Sequence, residues 1–261
     1  MAGKPIFDPS RAGRPLRVAA FMSGSGTNVV KLLEAPQASY EVAFIFSDTA
    51  GDKCRGQEIA RRFDLPYFAY DVRRYHQKRG LRRSIKSAEG LAARRAYDQV
   101  AERLVRAFEI DIIALGGYMS FLTLTGAINV HPADLSLVDQ AGKRRFVGDD
   151  AVLDAIVAGQ GELRSSTLFT DLGVDSGPLL MVSDPIPVEL PAPLAELKAD
   201  PARLRQVADQ HQERLKEAGD WVVFPTTLEL IAQGRLGLTD EGVATLDGAL
   251  KPGGVRPAEL A

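Results

Sequence analysis

The chain is poor in the residues that build disulfides and metal sites. Its 261 residues include a single cysteine, Cys54, and three histidines. One cysteine excludes an internal disulfide framework and is typical of a protein from a reducing compartment. No two histidine or cysteine residues stand at metal-ligand spacing, so the sequence predicts no metal site.

Long apolar runs and a strong excess of one charge are also absent. No stretch approaches the roughly 18 apolar residues that a transmembrane helix needs. The formal net charge of -2 gives no reason to expect nucleic acid or a membrane as the main partner. The polar residues 1–15 lack the apolar core of a secretory signal. We therefore predict a flexible N-terminal extension over 1–15 and a cytoplasmic protein.

What is present is a series of short apolar runs that alternate with helical patterns. A hydrophobic content of 45% suffices for a substantial core, which we place in one domain over residues 16–236. The predicted buried strands cover 16–22, 41–47, 65–70, 112–115 and 127–130. The predicted helices cover 54–63, 92–108, 149–158, 203–216 and 222–231. This alternation favours a doubly wound, mostly parallel, Rossmann-like α/β sheet.

The end of the chain departs from this alternation. Two short apolar runs, 165–170 and 179–182, are separated by a glycine-containing turn and predict an antiparallel hairpin near the C-terminal end of the sheet. Residues 237–261 hold few large apolar side chains, and we predict a C-terminal tail with one edge hairpin around Asp247-Gly248.

Two predicted strands end on residues that can carry chemistry. Gly116 and Gly117 follow the run 112–115, where the backbone must turn or let a ligand approach closely. Asn129 and His131 stand at the end of the next run with one residue between them, so strand alternation puts both side chains on one face. Open α/β sheets bind ligands at the carboxyl ends of their strands. His131 alone is equally consistent with a hydrogen-bonded structural role and with function.

A Gly/Ser turn over residues 23–28 follows the first predicted strand and opens a helix. Free N–H groups at such a helix start bind anions, so phosphate on a small substrate is one interpretation. A plain tight turn capped by Thr27 or Asn28 is the other. The turn matches neither the dinucleotide fingerprint, because Val29 replaces its third glycine, nor the Walker loop.

For several further residues the sequence favours a structural role over a functional one. The basic segment 73–86 could contact RNA or a phosphorylated ligand, but the near-neutral charge favours a solvated loop. We expect His76 and His211 at the surface. Asp171 and Asp175 flank a glycine turn, in which aspartates usually cap the backbone. No Gly-x-Ser-x-Gly elbow supports a serine hydrolase.

Taken together, these segments resemble the folate-dependent formyltransferases. Residues 22–28 are similar to the phosphate-holding Ser-Gly-x-Gly-Ser-Asn turn of that family, and 115–119 are similar to its Ala-Gly-Phe-Met segment. Residues 128–132 resemble its Asn-x-His-Pro sequence, and 174–178 its Leu-Asp-x-Gly-Pro turn. The similarity is strongest to the phosphoribosylglycinamide (GAR) branch. It implies formyl transfer from 10-formyltetrahydrofolate, as cosubstrate, to the amine of phosphoribosylglycinamide in purine synthesis.

The resemblance also implies roles for individual residues. The catalytic residues would be Asn129, His131 and Asp175. The residues that bind the folate would be Tyr118, Met119, Ser120, Phe121, Leu122, Asp171 and Val174. The residues that bind the phosphoribosyl acceptor would be Gly26, Thr27, Asn28 and Glu213. The partners implied are small molecules only; nucleic acid and membrane are not expected, and the oligomeric state, a homodimer included, stays open.

The chemistry of formyl transfer explains why these three catalytic residue types are needed. Attack of an amine on the formyl carbon produces a tetrahedral species with a negatively charged oxygen, to which Asn129 can donate its amide hydrogens. A protonated His131 would add a charge-assisted donor. Asp175 would favour that imidazolium, or would take the proton of the amine directly or through water. This mechanism requires Asp175 close to His131.

The chain departs from the family pattern away from this trio. Ser120 stands where the family more often has arginine, and Ala133 replaces a usual serine. The family's Pro-Gly-x-His sequence is missing, and residues 143–148 read Lys-Arg-Arg-Phe-Val-Gly instead. These departures leave open an N-formyltransferase for another amine, such as an amino sugar-nucleotide or another small phosphorylated amine. A formyltetrahydrofolate hydrolase and a non-catalytic ligand-binding module with the same fold also stay open.

Overall fold

The computed structural model describes residues 3–35 and 38–260. In chain order the strands are β1 (Lys4–Pro5), β2 (Leu16–Met22), β3 (Tyr40–Ser47), β4 (Tyr67–Ala69), β5 (Ile112–Leu115), β6 (Ala127–His131), β7 (Glu162–Leu163), β8 (Ser166–Phe169), β9 (Leu179–Val182), β10 (Ile186–Pro187), β11 (Leu236–Leu238), β12 (Ala244–Leu246) and β13 (Ala249–Lys251). The helices are α1 (Pro9–Ala12), α2 (Thr27–Leu33), α3 (Gly56–Arg62), α4 (Val72–Gln77), α5 (Ala88–Ala107), α6 (Ala151–Val157), α7 (Leu194–Ala199), α8 (Pro201–Leu215) and α9 (Trp221–Ala232).

Short helical turns complete the secondary structure. A π-helical turn, Lys216–Asp220, connects α8 to α9, and 3-10 turns cover Gly51–Lys53 and Pro257–Glu259. In the part of the chain that the structure describes, no helix has the length and apolarity to cross a membrane. The chain divides into two compact units, Pro9–Asn129 and Met1–Asp8 with Val130–Ala261. We call them the N-terminal unit and the C-terminal unit.

The N-terminal unit is built on a parallel sheet in the order β4-β3-β2-β5-β6. Alternate residues of β2 point to opposite faces. Ala19 and Phe21 pack with residues of α5 in one apolar cluster, whereas Ala20 and Met22 pack with residues of α2 and α3 in another. Helices therefore cover both faces, which confirms the predicted doubly wound, mostly parallel sheet.

The strand order of this sheet reverses between β2 and β5, which are neighbours in space but not in sequence. In open α/β sheets the loops that leave the carboxyl ends of two such strands diverge and form a ligand crevice. The loop after β2 is the Gly/Ser turn, and the loop after β5 begins at Gly116. Both segments that the sequence analysis singled out in this unit thus start at the switch point.

The C-terminal unit contains the antiparallel elements. β8 and β9 pair antiparallel, with Ser166 opposite Val182, which confirms the predicted hairpin near this end of the sheet. A second antiparallel sheet has the order β1-β11-β12-β13. The predicted edge hairpin is confirmed as β12 and β13, whose connecting residues Asp247 and Gly248 both have positive φ angles, 50° and 83°. Two such residues form the turn that suits the twist of a hairpin.

The two ends of the chain are more structured than the sequence predicted. Lys4–Pro5, within the predicted flexible extension, pairs antiparallel with β11. Ala244 and Leu246, within the predicted tail, are buried. Their sequence signal is weak because each strand has only two or three residues, too short to show a periodic pattern.

The expected surface positions of His76 and His211 are wrong. Both side chains are buried, and each Nδ1 lies 2.8 Å from the carbonyl oxygen four residues earlier, in Val72 and Val207 respectively. The Nε2 of His211 also accepts a hydrogen bond from the backbone N–H of Glu189 at 3.1 Å. A helical carbonyl thus satisfies each buried imidazole, which the charged neighbours in sequence did not indicate.

Candidate active site

The end of β6 presents the two residues that the sequence analysis placed on one face. In the register of β5 and β6, Asn129 stands opposite Leu115, the residue before Gly116. Asn129 is half-buried and His131 is buried. Pro132 ends the strand because it has no N–H for a further ladder bond. Both residues therefore belong to a strand of the sheet rather than to a loop, and the backbone of Asn129 is held by its pairing with β5.

Asp175 lies next to His131 within the C-terminal unit. The Nδ1 of His131 is 3.5 Å from the Oδ2 of Asp175, and their side chains are only 7% and 11% exposed. The other ring nitrogen, Nε2, is buried and has no hydrogen-bond partner among the described residues. An unsatisfied buried polar atom costs about 1–3 kcal/mol. Such an atom is expected where a ligand supplies the missing partner.

Burial decides the charge of His131. Desolvation lowers its pKa, while the Asp175 carboxylate, the Phe146 backbone and Asp149 act in the opposite direction without overcoming it. The nearby Arg144 guanidinium lowers the pKa further. The lowered pKa favours the neutral ring, whereas the sequence analysis expected the protonated form. A neutral imidazole has one N–H donor and one free lone pair.

Asp175 is held in an uncommon backbone conformation. Its φ angle is 48°, in the left-handed region that non-glycine residues rarely adopt. The backbone N–H of Gly148 donates to its Oδ2 at 2.9 Å. In the same turn, the Oδ1 of Asp171 accepts from the N–H of Gly173 and from the Ser176 hydroxyl, at 2.8 and 2.7 Å. The turn is therefore an Asx-type turn that carries a second, separately anchored carboxylate.

Arg144 contacts this turn and was missed by the sequence analysis. Its Nη1 donates to the carbonyl oxygen of Asp175, and its Nη2 donates to that of Gly177 at 2.7 Å. The only sequence signal was the basic run at 143–145, which stands in a predicted polar loop. Charged runs usually mark solvated surface, so the pattern did not distinguish Arg144 from its neighbours.

The Gly/Ser turn of the N-terminal unit has a backbone that only glycine suits. Gly26 is the N-cap of α2, with a φ of 67° and no side-chain capping bond. A Cβ on Gly26 would lie 2.4 Å from Cε of Met22 and 2.6 Å from Cδ1 of Ile59. The N-cap is therefore neither Thr27 nor Asn28, since both residues belong to the helix itself.

The predicted folate segment, residues 118–122, is attached to that turn. The backbone N–H of Ser23 donates to the carbonyl of Gly117 at 3.0 Å, and the N–H of Met119 donates to the Ser23 hydroxyl at 2.9 Å. Met119 is 68% exposed, whereas Tyr118 and Leu122 are buried, and Phe121 is half-buried. The segment therefore offers mainly its backbone and one apolar side chain to a ligand.

A buried polar network also joins this segment to α5. Nη2 of Arg94 donates to the Tyr118 hydroxyl at 2.9 Å, and burial raises the pKa of Tyr118 so that it stays a phenol. Arg94 also pairs with Asp98, whose Oδ2 accepts from the N–H and hydroxyl of Thr123 at 2.9 and 2.7 Å. Arg94 and Asp98 were not singled out in the sequence, because they look like an ordinary surface pair on α5.

Ser120 has a further buried partner in this unit. Its hydroxyl donates to Oδ2 of Asp48, a carboxylate that is 3% exposed. Ser120 stands where the family more often has arginine, and here its side chain makes a structural hydrogen bond within the protein. A serine directed at an aspartate cannot provide the charge that an arginine would present to a folate.

The remaining predicted residues lie in the C-terminal unit. Val174 is 63% exposed, and Asp171 and Val174 line a cavity of about 750 Å³ together with Asp175 and Arg144. Glu213 lies on α8, with its side chain 67% exposed and its carboxylate paired with Lys216 at 2.6 Å. Within this unit the structure therefore brings His131 and Asp175 together, whereas the carboxylate of Glu213 has a different partner.

Comparison with known proteins identifies similar relatives of different length. The chain is 29% identical over 174 residues to the phosphoribosylglycinamide formyltransferase of Bacillus subtilis, covering 63% of this chain and 76% of that protein. It is 25% identical over 237 residues to the trifunctional purine biosynthetic protein adenosine-3 of Chironomus tentans, covering 86% of this chain. The chain spans only 14% of that much longer relative.

Solved structures show the same fold. The phosphoribosylglycinamide formyltransferase of Coxiella burnetii, solved with CHES, has a TM-score of 0.66 at 20% identity, over 93% of this chain and 99% of that one. A formyltetrahydrofolate deformylase from Pseudomonas syringae has a TM-score of 0.61 at 16% identity, over 90% of this chain and 67% of that one. Residues 16–190, more than half of the chain, match the family described as Formyl transferase. The chain belongs to the formyl transferase family.

Proposed function

We propose that the chain transfers the formyl group of 10-formyltetrahydrofolate to the primary amine of phosphoribosylglycinamide. Membership of the formyl transferase family and the similarity to the Bacillus subtilis enzyme support this reaction. The observation that carries it is the buried His131, with Asp175 at 3.5 Å from one ring nitrogen and, among the described residues, no partner on the other. Asn129 precedes this histidine by two residues in the same strand.

The proposed reaction begins with attack of the amine nitrogen on the formyl carbon. The carbonyl π electrons move to oxygen, and the resulting oxyanion needs a donor that is already in place. The Asn129 carboxamide is proposed as this donor. Its position in β6 is set by the ladder with β5, so little reorganisation is needed when the charge develops.

The neutral His131 is proposed to move the proton. With its Nδ1–H directed to the Asp175 carboxylate, the Nε2 lone pair is free to accept the proton of the attacking amine. We infer this tautomer from the position of Asp175. The imidazolium that forms is stabilised by Asp175 and then donates its proton to N10 of the folate as the C–N10 bond breaks. The products are tetrahydrofolate and the formylated amine.

Binding roles follow the family resemblance. We propose that the folate lies against the backbone of residues 118–122 and against Asp171 and Val174. The Gly/Ser turn with Gly26, Thr27 and Asn28 is proposed to bind the phosphate through backbone N–H groups at the start of α2. Glu213 is proposed to contact the phosphoribosyl acceptor, in exchange for its ion pair with Lys216.

The test is a spectrophotometric assay of tetrahydrofolate release from 10-formyltetrahydrofolate, with and without phosphoribosylglycinamide. We expect release that depends on the acceptor and that falls about 100-fold or more in Asp175→Asn, since a general base and its partner contribute factors of this size. Asp209→Asn, an exposed carboxylate on α8, is the matched control and should retain full activity.

Each other outcome identifies a different error. Release without any acceptor would indicate a hydrolase. No release in the presence of tight folate binding would mean that the acceptor is another amine. Full activity of Asp175→Asn would refute the proposed proton transfer, whatever the acceptor is.

A further inference from the structure

Arg144 reaches over the turn that carries Asp175 and holds two of its carbonyl groups. One terminal nitrogen donates to the carbonyl oxygen of Asp175 and the other to that of Gly177. A guanidinium presents its donors in a rigid planar fork, so it can hold two acceptors at a fixed separation. This contact orients the backbone of the proposed catalytic residue without using its side chain.

We propose that Arg144 is a positioning residue, whose guanidinium fork keeps Asp175 in the backbone conformation that directs its carboxylate at His131. The inference rests on the proposed function of Asp175. It names a residue that the resemblance did not provide, in the segment 143–148 where the chain departs from the family pattern.

The conformation of Asp175 explains why such a residue is needed. A φ of 48° is unfavourable for aspartate and persists only when surrounding contacts hold it. Gly177 lies close to the Phe169 backbone, since an added Cβ there would lie 2.0 Å from the carbonyl oxygen of Phe169, so this end of the turn accepts no larger residue. Loss of the fork would allow the peptide between Asp175 and Ser176 to rotate, and the carboxylate would move with it.

The same short segment also fixes the carboxylate itself. The backbone N–H of Gly148 donates to the Oδ2 of Asp175 at 2.9 Å, the oxygen that lies 3.5 Å from His131. Residues 144–148 therefore contact both the main chain and the side chain of Asp175. Together these two contacts fix the orientation of the Asp175 carboxylate relative to the His131 imidazole.

Arg144 is itself held by local structure rather than by its long side chain alone. Val138 and Arg144 form an antiparallel bridge, and the N–H of Arg145 donates to the carbonyl of Leu137 at 3.1 Å. The Oδ1 of Asp139 accepts from the N–H groups of Ala141 and Lys143 at 2.8 and 2.9 Å. This turn gives Arg144 a fixed starting point, and its half-buried position reduces competition from water.

The test measures kcat and KM for Arg144→Ala, Arg144→Lys and Arg145→Ala in the proposed assay. We expect Arg144→Ala to lower kcat about 100-fold, the effect of a displacement near 1 Å at a catalytic group. The KM for phosphoribosylglycinamide should change little. Arg144→Lys keeps the charge but loses the fork, so it should stay far below wild type. Arg145→Ala is the matched control, because Arg145 is exposed with its guanidinium over the Phe146 ring.

Two further measurements separate positioning from general damage to the fold. Free guanidinium ion should restore part of the kcat of Arg144→Ala but none of that of Asp175→Asn. The double variant Arg144→Ala/Asp175→Asn should be no slower than Asp175→Asn alone, since a residue that acts only through Asp175 has no effect once Asp175 is disabled.

The possible failures are distinguishable. Wild-type kcat in Arg144→Ala, alongside an impaired Asp175→Asn, would overturn this inference and leave the proposed function standing. A further loss in the double variant would also overturn it, because Arg144 would then act independently of Asp175. Wild-type kcat in Asp175→Asn would refute the proposed proton transfer and this inference together.

Discussion

Replacement of Asp98 by asparagine tests whether the buried network of α5 holds the 116–123 segment. The side chains of Arg94 and Asp98 are 4% and 1% exposed, and Nη2 of Arg94 lies 2.8 Å from Oδ1 of Asp98. Asparagine keeps the shape and one acceptor oxygen, which can still serve Thr123. The substitution therefore removes chiefly the negative charge and leaves the Arg94 guanidinium buried without its counterion.

The size of the effect follows from that burial. Loss of one partner from a buried ion pair costs about 3–5 kcal/mol, because the remaining charge stays desolvated. We expect the lower end, about 3 kcal/mol, since Arg94 retains the Tyr118 hydroxyl as acceptor and the Tyr97 ring at 4.7 Å. With a urea m-value of about 2 kcal/mol/M, the unfolding midpoint should fall by about 1.5 M.

The assay is urea unfolding followed by both fluorescence and circular dichroism, whose transitions should coincide if unfolding is two-state. Glu102→Gln is the matched control, because Glu102 and Arg106 form a pair with the same spacing on the same helix but with side chains 40% and 78% exposed. Exposed pairs contribute at most about 1 kcal/mol, so this midpoint should move by less than about 0.5 M. If the proposed folate role of the segment is right, the KM for folate should rise in Asp98→Asn alone.

Equal midpoint shifts for Asp98→Asn and Glu102→Gln would refute the reasoning. They would show that Arg94 gains water or another partner when Asp98 loses its charge. A second check is Arg94→Met combined with Asp98→Asn, which removes both charges and keeps an acceptor for Thr123. This pair should be less destabilising than Asp98→Asn, because no unpaired buried charge remains.

Two further predictions use the pKa of His131 and the crowding at Gly116. Because burial lowers the pKa of His131, kcat/KM should fall on the acid side only below the ordinary histidine value of about pH 6.5. The activity that remains in Asp175→Asn should fall at a still lower pH, because the Asp175 carboxylate raises the pKa of His131. A limb at or above 6.5 in the pH–rate profile would contradict this. Gly116→Ala should lower stability by about 1–3 kcal/mol in thermal unfolding, since its Cβ would lie 2.8 Å from Cγ2 of the buried Val29. Gly161→Ala, which meets no atom within 4 Å, should be near neutral, and an equal loss would refute the clash.

Local patterns in the sequence determined most of the secondary structure. The predicted strands 16–22, 112–115 and 179–182 match β2, β5 and β9 residue for residue. Strands buried on both faces consist of near-continuous apolar residues, and that signal is contained within the strand itself. The same holds for the Asp247-Gly248 hairpin, because its turn is encoded by the two residues that adopt positive φ angles.

The candidate site was only partly accessible from the sequence. Asn129 and His131 were found because they stand two residues apart at the end of an apolar run, where alternation fixes their common face. Asp175 entered through a family resemblance, and the roles of all three stay predictions. Local spacing alone favoured the interpretation of Asp175 as a residue that caps a turn.

The tertiary structure decided which polar groups meet and which of them lose contact with water. The contact of Arg144 with Asp175, and that of Asp98 with Thr123, joins residues 31 and 25 positions apart in sequence. Burial of His131 lowered its pKa despite the adjacent carboxylate, against the sequence-based expectation of an imidazolium. Apolar periodicity is local and therefore readable along the chain. The partner and the desolvation of a charged group depend on distant segments that only the folded chain brings together.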